Sequence, residues 1–184
     1  DLNDGTVTAT ATGAWTASAA TDNAGADNTE FSIAVASAGA VNLTSAGVSA
    51  AGYTVTSTGT SAITGSAGAD ALTNTSGNAT FVGLAGIDTF TATAGAMTIS
   101  DLGAGGLVDI VDLNDGATVV GTATGAWTAS SATDNDSGST NAAFSIAVAS
   151  AGAIDLSSAG TTDAGYTVTS TGTSAVTGSD DADA

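Results

Sequence analysis

The chain has no lysine, arginine, histidine, cysteine or proline, and its 18 acidic residues leave a net charge of −18 with no cation to balance it. Nucleic-acid binding is excluded, because neutralising phosphates takes Lys or Arg. Adsorption to anionic membrane surfaces needs the same charges. Most catalytic chemistry is excluded as well: there is no imidazole, ammonium or thiolate, and no His or Cys to ligate zinc. A pair of aspartates can cleave a glycoside, but sugar sites also lean on aromatic platforms. Two Trp, two Tyr and four Phe are all the chain offers. No enzymatic activity is expected.

Long apolar runs are missing too. Thr, Ser and Gly interrupt every one before it reaches the roughly 18–20 residues of a membrane span. With no initiator Met and no signal peptide, the chain is expected to be a window of something longer. Low aromatic content and high net charge would also suit a disordered segment. Against that, Val, Ile and Leu are placed with a period, and Thr and Val are good strand formers.

What is present is repetition. Asp1-Leu-Asn-Asp-Gly5 returns as Asp112-Leu-Asn-Asp-Gly116, and Ala11 to Ser18, with Trp15, returns intact at Ala123 to Ser130, with Trp127. Phe31 to Ala40 returns at Phe144 to Ala153, and Gly52 to Ala62 returns at Gly165 to Ala175. The first unit spans residues 1–111 and a shortened second one spans 112–184. Such units stack on their neighbours and are not stable alone. Within a unit, residues 6–20 and 31–50 alternate like strands, and 21–30 form a polar loop. Nothing shows a helical period. The two tryptophans are read as packing anchors at a strand junction.

Between residues 52 and 111 the pattern tightens. Gly59, Gly68, Gly77, Gly86 and Gly95 stand nine apart, and four residues after each comes Ile63, Leu72, Phe81, Phe90 or Ile99. A nine-residue unit of turn plus short strand, paired into eighteen-residue coils, predicts an all-β fold, a parallel β-solenoid of the β-roll kind. Eighteen residues per coil and about 4.8 Å of rise predict roughly 30 Å per unit.

Asp70 and Asp88 lie eighteen residues apart, one coil, each two residues past a glycine. A single aspartate in a Gly-rich turn is explained by capping its own backbone. Two in coil register, in a chain without cations, point to calcium, a hard ion that takes six to eight oxygens. Asp22, Asp27, Asp134, Asp136 and Asp163 are read as solvated loop charges; Asp1, Asp4 and Asp115 are left unassigned.

Gly65-Ser-Ala-Gly-Ala-Asp70-Ala-Leu-Thr73 and Gly83-Leu-Ala-Gly-Ile-Asp88-Thr-Phe-Thr91 resemble the G-G-x-G-x-D-x-U-x nonapeptide of the RTX family, the secreted calcium-binding β-rolls. Ser66 and Leu84 replace the second glycine, and Ala79 stands where an intervening Asp would. The segment from Ile99 through Asp101 and Asp109 to Leu113 is similar to the one that closes RTX blocks. The resemblance implies calcium held by Gly65, Asp70, Gly83 and Asp88 on one edge of the roll. Asp101 would reach the last site from a longer turn with Asp109 nearby, and Asp183 would begin the equivalent site of the second copy. A metal-stapled secreted protein needs no cystines, so their absence does not place this chain in a reducing compartment.

The function expected is an extracellular structural protein of the surface-layer or giant surface-protein kind, self-assembling through calcium-stabilised repeats into a layer, sheath or matrix filament. Expected partners are other copies, laterally or head to tail, and cell-surface polysaccharide. The alternative is the extender of a long adhesin. Ice binding is a weaker fit, because the Thr-x-Thr pairs (Thr6-Val-Thr8, Thr54-Val-Thr56, Thr91-Ala-Thr93) are expected at different phases of the coil.

Overall fold

A computed structural model describes residues 5–24, 27–36, 38–47, 51–106, 108–136, 143–148, 152–160 and 164–184. Among them the chain is all β, apart from short 3-10 turns such as Asn28–Glu30 and Ala104–Gly106. It winds as a parallel β-solenoid of about seven coils averaging about 22 residues.

Two parallel sheets form its faces. One contains, in order, β1 (Val7–Ala11), β3 (Phe31–Val35), β5 (Ala51–Ser57), β7 (Ala69–Asn74), β9 (Thr89–Ala92), β11 (Ile110–Leu113) and β14 (Asp134–Asn135). The other contains β2 (Trp15–Thr16), β4 (Ala40–Asn42), β6 (Ala62–Thr64), β8 (Asn78–Val82), β10 (Gly95–Leu102), β12 (Ala117–Ala123), β15 (Phe144–Val148) and β17 (Thr167–Ser170). A small third sheet joins β13 (Trp127–Thr128), β16 (Ile154–Asp155) and β18 (Val176–Thr177).

The apolar residues that follow each periodic glycine divide between the two main sheets. Ile63 registers with Phe81 and Phe81 with Ile99 on one. Leu72 registers with Val55 and Phe90 on the other. Each is at most 1% exposed. One large side chain per strand thus meets its counterpart from the facing sheet, each contributing on the order of 1.5–3 kcal/mol.

The eighteen-residue coil holds only through the middle, between Ile63, Phe81 and Ile99. Trp15 registers with Val41, 26 residues on, and Val119 with Phe144, 25 residues on. The additional residues build the third sheet and wider turns. A unit therefore has fewer coils than a uniform eighteen-residue repeat implies.

Among the described residues eleven strands, β1 to β11, alternate between the two main sheets before the first strand of the second copy, β12. Equivalent strands of the two copies consequently fall on opposite sheets: β1, β3 and β5 on the seven-stranded one, their counterparts β12, β15 and β17 on the eight-stranded one. A unit is five and a half coils, about 26 Å at the spacing of paired strands, in place of the 30 Å expected.

Candidate functional site

The edge where the chain passes from the eight-stranded to the seven-stranded sheet carries Asp70, Asp88, Asp101 and Asp109. Asp70 is the second residue of β7, Asp88 immediately precedes β9, and Asp109 immediately precedes β11. All three turn inward and are 1%, 1% and 3% exposed.

Their carboxylates are stitched coil to coil through backbone amides. Asp70 Oδ1 accepts the Tyr53 amide at 2.7 Å. Asp88 Oδ1 accepts the Asp70 amide at 2.9 Å, and Asp109 Oδ1 accepts the Asp88 amide at 3.1 Å. Each aspartate thus receives the amide of the residue one coil below. The second oxygens reach along their own turns: Asp70 Oδ2 accepts the Ser66 amide at 2.6 Å and Asp109 Oδ2 the Gly103 amide at 2.8 Å. Asp101 spans one coil differently, accepting the Gly83 and Leu84 amides at 2.9 and 2.8 Å.

The glycines of the motif leave room for this. A Cβ on Gly65 would collide with the Asp70 carboxylate and stand 2.8 Å from the Gly83 carbonyl oxygen. A Cβ on Gly83 would collide with Asp88. Leu84, which replaces the second glycine, sits in the left-handed region at φ 76°. That conformation costs a non-glycine residue roughly 1–2 kcal/mol.

Burial dominates the electrostatics. It pushes the Asp70 carboxyl up to about 6 against the bonds from Ser66 and Tyr53, which oppose it. Asp109 is likewise pushed up to about 6, with Asp101 adding to the effect. Asp88 rises furthest, to about 8: burial is the largest cause, and the charges of Asp70, Asp109 and Asp101 also raise it. A row of buried anions, in a chain with no positive side chain, favours either protons or a bound cation.

The donor set suits calcium in kind. Its oxygens are hard, and a carboxylate oxygen that accepts one amide keeps a second lone pair. Among the described residues no donor reaches Asp88 Oδ2. The carboxylates form a row, however, and among the described residues no three acidic groups are gathered as a metal site. Asp70, Asp88 and Asp109 would therefore each hold calcium with one or two carboxylates, and backbone carbonyls would complete the shell.

Asp183 repeats the bonds of Asp70: its Oδ1 accepts the Tyr166 amide at 2.9 Å and its Oδ2 the Ser179 amide at 2.7 Å. It is exposed. It follows β18 of the third sheet and stacks on Tyr166 ahead of β17, on the edge opposite Asp70, so the aspartates of the two copies do not share one edge. Each unit places its aspartates on one edge, and the next unit changes sides because the strand count is odd. Asp22 and Asp136 lie in the wider turns, away from the row, whereas Asp134, expected as a loop charge, is in β14 and registers with Asp112. Asp1, Asp4 and Asp163 are outside the described residues.

The sequence reading missed Ser66, whose hydroxyl bonds both Asp70 oxygens at 3.0 and 3.2 Å, and its counterpart Ser179, bonded to Asp183. Their place in the motif is that of a glycine, so composition hid them. It also missed buried Asn23 and Asn135, which donate to the carbonyls of Gly52 and Gly165 at 2.6 and 2.5 Å.

The register also places the threonines. Thr91 lies in the row of Thr56 through Thr73, and Thr8 in the row of Thr54 through Ser32, so the three Thr-x-Thr pairs are offset from one another by two residues, as expected. The rows are broken by Ala34, Ala71 and Ile110, and Thr54 Oγ1 is bonded to the Asn28 carbonyl.

Compared with known proteins, the chain matches no family model, no curated protein and no solved structure.

Proposed function

We propose that this chain is a segment of an extracellular structural array whose solenoid units are stabilised by calcium and self-associate into a surface layer, sheath or matrix filament. The observation that carries the reading is the row of buried carboxylates at Asp70, Asp88 and Asp109, raised in pKa and without a cationic side chain anywhere in the sequence. A divalent ion resolves that electrostatic conflict and is abundant outside cells. Tandem units of one fold supply the identical surfaces that assembly uses.

The test is circular dichroism with light scattering while calcium is titrated into EGTA-treated protein. A gain of β-structure near millimolar calcium, with growing particles, is expected. Folding without growth favours the extender of a long adhesin. Unchanged β-structure and thermal stability at every calcium concentration would overturn the calcium reading.

A further inference from the structure

Strand alternation turns every second side chain outward, and the outer faces of the solenoid differ in charge. On the eight-stranded sheet one outward row runs in register through Ala62, Thr80, Thr98, Val120, Ser145 and Thr167. Among the described residues, the outward side chains beside this row are Ala, Ser, Thr, Val or Asn. The single acidic residue in these strands, Asp101, turns to the edge, where it accepts the Gly83 and Leu84 amides. The seven-stranded sheet instead carries Asp112 in register with Asp134, and the third sheet carries Asp155.

The two copies of the repeat sort the same way. Among the described strands, their equivalent outward residues differ at two places. On β12 of the eight-stranded sheet Val120 stands where β1 of the seven-stranded sheet has Thr8. On β4 of the eight-stranded sheet Asn42 stands where β16 of the third sheet has Asp155. Each time the eight-stranded sheet holds the less polar residue. Val120 is 48% exposed in the middle of its row.

A chain with a net charge of −18 repels its own copies, and salt screens that repulsion only beyond about 8 Å at physiological ionic strength. Contact between copies is least opposed where it brings no carboxylate to the interface. The side chains of this face are short, and its Thr and Val are stiff at χ1, so little rotamer freedom is lost on packing. Two such faces can approach to the roughly 10 Å of stacked sheets. Eight strands and a width of about 13 Å give roughly 450 Å², about half of the ~800 Å² that each partner brings to a stable interface. Tandem units multiply that area.

We infer that the outer face of the eight-stranded sheet is the lateral contact between copies of this chain, packed against the same face of a second copy. The aspartate rows lie on the edges, outside the contact, and stay open to calcium. This contact gives a surface to the self-association proposed above and rests on that reading.

The chain has no cysteine, so a single introduced thiol reports one position. Thr98→Cys places it on this face, and Thr56→Cys places it on the outer face of the seven-stranded sheet. Maleimide alkylation is timed in dilute protein and in concentrated, associated protein, in millimolar calcium and in EGTA. On association the Thr98→Cys thiol is expected to slow by about tenfold, the factor for a site free in about one copy in ten. The Thr56→Cys thiol is expected to keep its rate. Val120→Glu leaves the core untouched and sets carboxylates against each other across the contact. It is expected to keep the circular dichroism of the parent and to weaken association by about tenfold or more. Particles in which the Thr98→Cys thiol stays reactive, or which form as readily from Val120→Glu, overturn this face and leave the array reading standing. A chain that stays monomeric at every concentration overturns the array reading and this contact with it.

Discussion

The Asp70 amide donates to Asp88 Oδ1 at 2.9 Å across exactly one coil, eighteen residues, and both residues are buried. The carboxylate is thus part of the backbone ladder as well as a candidate calcium ligand, and the two roles separate by substitution. Asp88→Ala leaves the Asp70 amide buried without an acceptor and is expected to cost about 1–3 kcal/mol with or without calcium. Asp88→Asn keeps an acceptor and deletes the charge. In EGTA at pH 8 it should be at least as stable as the parent, and in calcium less stable. Urea denaturation in the two conditions checks this; an equal calcium response of the parent and Asp88→Asn removes Asp88 from the site.

Stability without calcium should fall as pH rises. The folded-state values of Asp70 and Asp109, about 6, and of Asp88, about 8, lie above the ordinary carboxylate value of 3.8. Between about pH 4 and 8 the folded chain therefore binds more protons than the unfolded one, and linkage makes the slope negative. The stability these groups contribute is fully present below pH 4 and is lost as pH rises through 6 to 8. Urea midpoints in EGTA should drop from pH 5 to pH 8.5, and saturating calcium should flatten the trend. A rising trend in EGTA contradicts the buried placement of these carboxyls.

The tryptophans should differ sharply in cost. Trp127→Ala empties a fully packed site and strands the Asp109 carbonyl, an expected loss of about 3–5 kcal/mol. Trp15→Ala removes a half-covered side chain and should cost about 1 kcal/mol or less. Thermal melts of the two variants compare them directly, and equal losses would contradict the asymmetry.

Leu84→Gly should stabilise the chain by about 0.5–1 kcal/mol, relieving the left-handed leucine at the expense of some backbone entropy. Gly86→Ala should do the opposite: Gly86 has φ 134°, and a Cβ there would collide with the Gly68 carbonyl. Opposite shifts in melting temperature at these two neighbouring positions are the expected signature.

Much of the fold was legible because a solenoid is nearly one-dimensional. Glycine every nine residues followed by one large apolar residue implies parallel strands and a thin core, and Leu72, Phe81 and Phe90 occupy it. The inward aspartates were legible as a pair because coil register equals sequence register where the coil is eighteen residues. Asp101 and Asp109 break that spacing, and only the wider turn between β10 and β11 shows how both reach the same edge. Ser66 was hidden because a hydroxyl that serves a carboxylate four residues on looks like any turn serine.

By itself the sequence determined the periodic β architecture, the lack of any cationic partner for its carboxylates, and the identity of the repeated unit, since these follow from residue types and their spacing along one axis. The tertiary structure alone decided which sheet each copy of a strand joins and which edge each aspartate occupies. Those depend on how many strands separate equivalent residues and on which coil lies above them. An odd count of eleven strands turns identical segments to opposite sheets, and identical side chains meet different neighbours there.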